Sequence, residues 1–522
     1  MVGVILLLFL VGFGLVSSAY VQTQIIHSIT QDFKSKTQQE FTIDKVSLRW
    51  NGKLQFSDFY IEDHHGDTLL YVKEFKTSIL DFKKLNESDF NFDDVEATQV
   101  YLNLKKYINE ETHSLKILLN KLKKDSTTKK KFLFRTTSVH VSKGHFLYHD
   151  LNKDTAKITR IEDLTLFGTN LTYKGDHLDL KLESLEGFLI SPEELPISIT
   201  GILHYEPGLL DINSLEMKSR SNHFKGKVAL KGSNKSLKNF FPNGSVELEV
   251  SEGALFLGDF LNKAIYFQNS PAFDFSFSAN GPLNALEFNN INIRNSEISF
   301  NGALGADHLF DEKPLAFSLG IEEVVLFSSF IVNNIPELKS KQKKYIELLE
   351  KLQLSGTVSS DSNHLDFDLI STNRWGNFSL IGAVGNGFFE TQKKDRSFDL
   401  SMNLKNISLD RFVGQEYGMR LFSDLKINGT VPISDPINLN WKAINTRLNS
   451  TEIALDDINF EGRFQNDQLR NTLSIISKPI KLKSDILFDF GKEVPKYTLV
   501  ANVKELDLNS LGLKIGSDKK IF

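Results

Sequence analysis

Residues 273–278 read FDFSFS and residues 398–404 read FDLSMNL, so apolar and polar side chains alternate without interruption in both stretches. The same pattern recurs in LDLKL at residues 178–182 and in most of the chain after Phe41. A period of two places the apolar side chains on one face of a β-strand and the polar side chains on the other. The sequence therefore predicts a mainly β protein whose sheet has one apolar face.

The composition narrows the possible functions. The 522 residues carry a formal net charge of -5, and a nucleic-acid-binding surface would need a surplus of basic residues, so we expect no nucleic-acid partner. There are 42 Phe against 12 Tyr and 3 Trp, and Phe suits a dry lining because its ring carries no polar group. The absence of cysteine excludes thiol catalysis, disulfides and cysteine-based zinc sites.

Residues 2–19 are uncharged and mostly apolar, and as a helix they would extend about 27 Å, enough for a bilayer core. We therefore expect a transmembrane signal anchor at residues 1–19, followed by an amphipathic helix at 20–38. A cleaved signal peptide is the alternative, since Ser17 and Ala19 fit the small-residue cleavage rule. Both interpretations place the bulk of the chain outside the cytoplasm.

The rest of the chain is expected to form an N-terminal β region with a helix at residues 39–131 and a repetitive β region at residues 132–522. The pattern predicts early strands and later helices in the following ranges: strands at 41–50, 54–61 and 69–82, and helices at 113–124, near 256–267 and near 336–352. Similar turn-and-strand segments carry glycines at 226, 302, 382 and 462, spaced by 76, 80 and 80 residues. Equal spacing indicates an elongated structure built by repetition.

A long sheet must hide its apolar face from water. It can fold lengthwise over that face and form an apolar groove, or it can divide into β-sandwich domains whose sheets pack face to face. Periodicity alone does not choose between these architectures.

The N-terminal block resembles the TamB proteins of Bacteroidetes-type bacteria, which belong to the AsmA-like group. The resemblance covers roughly the first 80 residues and is carried by VQT at 21–23, IDKV at 43–46 and FYIEDHHGDTLLY at 59–71. Strand ends such as LSG at 354–356 and ING at 427–429 resemble the body of the family more loosely.

The resemblance implies an elongated, repetitive antiparallel sheet folded into a hydrophobic groove of the β-taco type. It also implies a single-pass inner-membrane anchor, with the bulk of the chain in the periplasm, and a non-enzymatic role in carrying phospholipid for outer-membrane biogenesis. Family members bind an outer-membrane barrel of the Omp85 type through a C-terminal domain. We recognise no such domain here, so we expect that partnership to need a region absent from this sequence. The alternative function is a structural or adhesive array of exported β-sandwich domains.

We expect the groove to hold phospholipid acyl chains and to be lined by the alternating apolar side chains. These are Phe273, Phe275, Phe277, Ile298, Phe300, Leu365, Phe367, Phe398, Leu400, Met402 and Leu404. Asp366 and Asp368 alternate with the lining and are expected to solubilise the outer face.

Two polar clusters could ligate a metal, but in each case a structural role is the favoured interpretation. Asp63, His64, His65 and Asp67 surround Gly66 and are typical of a polar hairpin turn. His140, His145 and His149 flank Gly144, and we expect them on the polar face of a strand-turn-strand unit because Val139 and Val141 take the apolar face. The sequence contains no nucleophile elbow, phosphate loop or His-Glu-x-x-His string. We therefore predict no enzyme activity, no metal site and no cofactor.

Overall fold

The structure is a computed structural model that describes residues 31–510 apart from 32, 36, 49–51, 81–88, 124–132, 153–156, 175–176, 191–193, 233–239, 260–270, 311–312, 335–337, 339, 362–363, 386–395, 411–417, 432–436, 452, 491–495 and 509. The described chain is mainly β and forms two compact units. Unit 1 comprises residues 1–240 and 244–255, and unit 2 comprises residues 241–243 and 256–522.

Unit 1 contains twelve of the described strands. They are β1 (Phe41–Thr42), β2 (Lys45–Leu48), β3 (Lys53–Glu62), β4 (Thr68–Ile79), β5 (Asp89–Lys106), β6 (Leu133–Asp150), β7 (Lys157–Lys174), β8 (His177–Ile190), β9 (Glu194–Glu206), β10 (Leu209–Ser219), β11 (Asn222–Lys231) and β12 (Ser245–Leu255). Helix α1 (Ser114–Lys123) lies between β5 and β6, and confirms the helix predicted at 113–124. A single turn, α2 (Phe240–Asn243), precedes β12, and its residues 241–243 are assigned to unit 2.

Unit 2 contains the other fourteen described strands. They are β13 (Phe273–Pro282), β14 (Ala285–Arg294), β15 (Ile298–Asp307), β16 (Ala316–Phe327), β17 (Lys351–Ser360), β18 (His364–Asn373), β19 (Gly376–Gly385), β20 (Arg396–Ser408), β21 (Arg420–Val431), β22 (Asn438–Asn449), β23 (Ala454–Gln465), β24 (Gln468–Ser477), β25 (Ile480–Asp489) and β26 (Lys496–Leu506).

The helices of unit 2 are short. Near the helix predicted at 256–267, the described residues form a 3-10 turn at Leu257–Asp259, and most of the remaining predicted segment lies outside the described residues. The helix predicted near 336–352 is shorter than expected: α4 spans Ser340–Leu348, and β17 already begins at Lys351. The sequence did not reveal α3 (Ser328–Asn334), which follows β16 directly.

Pairing in unit 1 is sequential. Strands β1 and β2 both pair with β3, and from β3 onward each strand pairs with the next one along the chain. One pair departs from the predicted antiparallel pattern, because β5 and β6 run parallel, with Asp89 opposite Leu133. A parallel pair needs a crossover connection, and here the crossover contains α1.

Unit 1 has a closed apolar core. Phe56 and Phe59 are 1% and 0% exposed, and the Phe56 ring stacks on Phe75 with centroids 4.4 Å apart. Leu118 of α1 is also fully buried, so the helix covers part of the apolar face of the sheet. The alternating residues Leu178 and Leu180 of β8 belong to the same buried cluster.

Pairing in unit 2 is sequential and antiparallel from β13 to β26. Immunoglobulin-type sandwiches instead join two sheets through Greek-key connections, which place sequence neighbours apart. The pairing of unit 2 is that of one long antiparallel meander and differs from the Greek-key order of such sandwiches.

Several strands of unit 2 carry β-bulges at asparagine residues. Asn290, Asn406 and Asn445 have φ of 52°, 58° and 53°, and each lies at a shift in strand register. Asn tolerates this left-handed conformation better than most residues. A bulge bends its strand and increases the local twist.

The predicted repeat corresponds to groups of four strands. Gly226, Gly302, Gly382 and Gly462 lie in β11, β15, β19 and β23, so consecutive members are four strands apart. The spacing near 80 residues is thus the length of four strands with their turns.

The predicted anchor at residues 1–19 lies outside the described residues, as does most of the amphipathic helix. Of that helix the structure describes helical backbone at Gln31, Phe33–Ser35 and Thr37. Phe33 is buried there against Phe41, with ring centroids 5.0 Å apart. Among the described residues, no helix has the length and apolar character required to cross a membrane.

Candidate functional site

The predicted lining residues of β18 and β20 lie on one face of the unit 2 sheet, because residues opposed across a strand pair point to the same side. The four predicted residues of β20 oppose four residues of β19, and these oppose four residues of β18. The rows are Phe398–Val384–Leu365, Leu400–Gly382–Phe367, Met402–Leu380–Leu369 and Leu404–Phe378–Ser371.

The predicted residues of β13 and β15 share this face. Phe275 opposes Ile293, which opposes Phe300, and the Phe275 and Phe277 rings stack with centroids 6.1 Å apart. Ile298 lies two residues from Phe300 on β15, and Phe273 lies two residues from Phe275 on β13, so each shares its neighbour's face. Cross-strand partners then extend the row from Phe300 to β20. The extension runs Phe300–Val324–Leu354–Ser371–Phe378–Leu404. Register and the two-residue period thus place ten of the eleven predicted residues on one face, and Phe277, at a register shift, joins them through its stacking on Phe275.

The apolar face continues beyond the predicted residues. Leu400 opposes Ile427, which opposes Trp441 on β22, and the last two strands add Phe488 opposite Tyr497. The signal for these positions was present in the sequence as alternation in β21 and β22, but Asn and charged residues interrupt it there.

Exposure distinguishes this face from the core of unit 1. Of the eleven predicted residues, Phe273 is buried at 9% exposure, and the other ten are half-buried. The contiguous buried cluster found among the described residues runs from Phe33 to Leu180 and lies wholly in unit 1. The interior of a filled sandwich would bury such side chains more completely. Water or a ligand therefore has access to the apolar face of unit 2.

The opposite face of unit 2 is mainly polar, although Ile370 and Ile381 are exposed on it. Asp366, Asp368 and Asp399 are exposed, the first two as predicted. Lys481 and Glu505 form an exposed ion pair at 2.8 Å. Exposed pairs of this kind contribute at most about 1 kcal/mol, so this face keeps the sheet soluble more than it stabilises it.

Unit 1 also contains an apolar cavity of about 200 Å³. Its walls come from β5, β6, β7 and β8 and include Leu102, Val141, Phe146, Ile161 and Leu185. A cavity of this size and character admits a few methylene groups.

The three histidines near Gly144 do not form the expected strand-turn-strand unit. His140, His145 and His149 all lie on β6, which runs unbroken from Leu133 to Asp150 and passes Gly144 in mid-strand. Gly144 instead marks a register irregularity, where an added Cβ would lie 3.0 Å from the Leu164 carbonyl oxygen. His140 and His145 are exposed, as expected for the polar face, and the three side chains are not brought together at a hairpin.

The segment around Gly66 forms the predicted turn, between β3 and β4. Asp63 is 3% exposed, and its Oδ1 accepts hydrogen bonds from the backbone N–H groups of His65 and Asp67 at 2.9 and 3.0 Å. Gly66 has φ of +86°, a conformation that favours glycine. The Asp63 carboxylate thus holds the turn and is not free to join a metal site with Asp67.

Tyr107, after β5, joins this turn. Its hydroxyl lies 2.7 Å from both Asp63 Oδ2 and Asp67 Oδ2. Burial and these two carboxylates raise the pKa of Tyr107. Lys105 donates to Asp67 at 2.6 Å, and the hydrogen bonds from Lys105 and Tyr107 lower the pKa of Asp67.

Glu110 brings a third group to the two histidines of the turn. Its Oε1 lies 2.7 Å from His64 Nε2 and 3.1 Å from His65 Nε2. Burial opposes ionisation of Glu110, but the two histidine contacts outweigh it, and the pKa of Glu110 is lowered. Sequence reasoning missed Glu110 because it lies 46 residues from His64 and carries no local motif.

Comparisons with protein-family models, with curated proteins and with solved structures found no match to this chain. The resemblance of the N-terminal block to TamB proteins therefore rests on the residues quoted for it.

Proposed function

We propose that unit 2 binds phospholipid acyl chains along its apolar face and acts as a non-enzymatic part of a lipid-transfer path. The observation that carries the proposal is the partial exposure of an apolar face whose cross-strand rows continue from β13 to β26. Soluble proteins rarely expose apolar patches of this extent unless the patch binds something.

The energetics favour an acyl chain as the occupant. Each methylene removed from water contributes about 0.8 kcal/mol, so a chain of a dozen methylenes on this face gains roughly 10 kcal/mol before entropic costs. Head groups can remain in water because the face is only partly covered. Bending of the strands at their bulges would fold the sheet over its apolar face and form the groove of the β-taco type.

The composition of the face suits movement as well as binding. The rows consist mainly of Phe, Leu, Ile, Val, Met and Gly, with Ser371 as a polar member. Sites of similar affinity let a bound acyl chain move from one strand to the next without a deep trap. Transport through such a face needs no catalytic group.

The setting of this function follows from the N-terminal resemblance. It supports a single-pass anchor in the bacterial inner membrane, a periplasmic location and a role in outer-membrane biogenesis, with an Omp85-type barrel as partner of a region outside this sequence. An adhesive or structural array is the alternative, and its β strands would carry no lipid.

Neighbouring side chains on opposite faces provide a matched test. A photo-crosslinking residue, p-benzoylphenylalanine, replaces either half-buried Phe367 or exposed Asp368 of β18. We expect irradiation in intact cells to yield phospholipid adducts, detected by mass spectrometry, at position 367 and not at position 368. No adduct at either position, or equal adducts at both, would reject the lipid-binding face and favour the array.

A further inference from the structure

Two histidines and one glutamate converge on the surface of unit 1, far along the chain from the apolar face of unit 2. The candidate ligand atoms of His64, His65 and Glu110 all lie within 4.8 Å of one another. Their side chains are 14%, 47% and 24% exposed, so the cluster is partly sheltered but open to an ion from solvent.

The donor set has the chemistry of a zinc site. Two imidazole nitrogens and one carboxylate oxygen form a ligand set that zinc uses in proteins, with the fourth position open to water. Neutral imidazole prefers zinc and its neighbours in the first transition row over magnesium or calcium, which take oxygen ligands.

Two buried polar atoms of this cluster have no hydrogen-bond partner among the described residues, namely His64 Nδ1 and Glu110 Oε2. A buried carboxylate oxygen without a partner is costly, and metal coordination is one way to satisfy it. Glu110 Oε1 is moreover shared by both histidines, so hydrogen bonding alone leaves the cluster incompletely satisfied.

The surroundings hold the ligands in place. The ring of Tyr107 lies 3.8 Å from the ring of His65, centroid to centroid, and fixes that imidazole. Asp63 fixes the backbone of the turn that carries both histidines, through its bonds to two backbone N–H groups. Such support from outside the ligand set typically changes metal affinity by 10- to 100-fold.

We propose that His64, His65 and Glu110 bind a zinc ion that joins the β3–β4 turn to the segment after β5. Zinc–ligand bonds of about 2.0–2.2 Å require tetrahedral ligand atoms to stand roughly 3.4 Å apart. The present separations of 2.7 and 3.1 Å from Glu110 Oε1 need to open by less than about 1 Å, and no separation within the cluster exceeds 4.8 Å. This inference is independent of the lipid-binding proposal.

The test is calorimetric titration of the full chain with zinc chloride after treatment with a chelator. We expect one tight equivalent in the wild type and an affinity at least about 100-fold weaker in His64→Ala, since a lost ligand costs more than a lost supporting contact. Glu110→Gln preserves the shape and hydrogen-bonding capacity of the side chain but is a poorer ligand, and it should weaken binding without unfolding the turn.

His145→Ala is the matched control, since His145 is an exposed histidine on β6 of the same unit. It should leave the tight equivalent unchanged. Equal zinc affinity in the wild type and His64→Ala, or loss of the tight equivalent in His145→Ala, would overturn the proposal. Circular dichroism spectra of all four proteins verify that the sheet is retained.

Discussion

A carboxylate at position 400 should block lipid movement without unfolding unit 2. Leu400 lies in the middle of the apolar face, between Gly382 on β19 and Ile427 on β21, and it is half-buried. Complete burial of a Leu side chain is worth about 1.5–3 kcal/mol, and most of that is lost in Leu400→Asp because the side chain is only partly exposed. The new carboxylate keeps contact with water and escapes the several kcal/mol that an unpaired buried charge would cost. We expect a loss of about 1–2 kcal/mol in stability and a sheet that remains folded.

The effect on lipid should be much larger. Strands lie about 4.8 Å apart, so about four methylenes of a passing acyl chain lose their apolar contact at the substituted strand. At about 0.8 kcal/mol each, the barrier rises by about 3 kcal/mol, which slows passage roughly a hundredfold. Since an acyl chain that moves along the face must pass every strand in turn, one barrier slows the passage of every lipid molecule.

The assay places p-benzoylphenylalanine at Phe300 on β15 or at Phe460 on β23, on the two sides of β20. In Leu400→Asp, phospholipid adducts should persist on the side that receives lipid and fall at least tenfold on the other side. Asp399→Lys is the control, since Asp399 is exposed on the polar face one residue away, and it should leave both adducts unchanged. Undiminished labelling at both positions in folded Leu400→Asp protein would refute the transport model.

Three further outcomes follow from the structure. Phe59→Ala, in the buried core of unit 1, should lower the free energy of unfolding by about 3–5 kcal/mol, whereas Phe300→Ala on the partly exposed face should lower it by less than half as much. Hydrogen exchange of β3 and β15 measures both losses, and equal losses would contradict the difference in burial. Gly382→Val should lower the free energy of unfolding by about 1–3 kcal/mol, because the added Cβ would lie 2.6 Å from the Asp399 carbonyl oxygen. Gly305→Val should be nearly neutral in the same assay, because no atom would lie within 4 Å of its Cβ. Because the pKa of Asp67 is lowered in the folded protein, its ionised carboxylate stabilises the β3–β4 turn above about pH 4. That stabilisation should disappear as the pH falls through the pKa of Asp67 in the folded protein, which lies below 3.8. The NMR shift of Gly66 measured against pH should report the loss, and Asp67→Asn should abolish the pH dependence.

The sequence predicted the strands and the sharing of a face wherever alternation was unbroken. Phe273 to Phe277 and Phe398 to Leu404 became β13 and β20, and cross-strand register then placed them on one face. Alternation records which side of its own strand a residue occupies, so it sufficed for the face. Alternation carries no information on how fully that face is covered, because coverage depends on what packs against the face in three dimensions.

Other features lie beyond the reach of local pattern. The parallel pairing of β5 with β6 depends on where the connection through α1 places the start of β6. The alternation of apolar and polar residues within a strand does not indicate whether its partner runs parallel or antiparallel. Glu110 contacts His64 and His65 only because the fold brings the segment after β5 next to the β3–β4 turn. The histidines of β6 were expected around a turn because glycine usually marks one, but Gly144 marks a bulge inside an 18-residue strand.

Sequential pairing has a consequence for how unit 2 unfolds. Each interior strand from β14 to β25 contacts only its two sequence neighbours in the ladder, so the free energy is close to a sum of nearest-neighbour terms. Loss of β26, whose residues are exposed throughout, removes one ladder and leaves the others intact. Opening of the described sheet should therefore proceed strand by strand, with the exposed β26 among the first strands to lose amide protection. Heat or urea would then shorten the sheet progressively instead of melting it in one cooperative step.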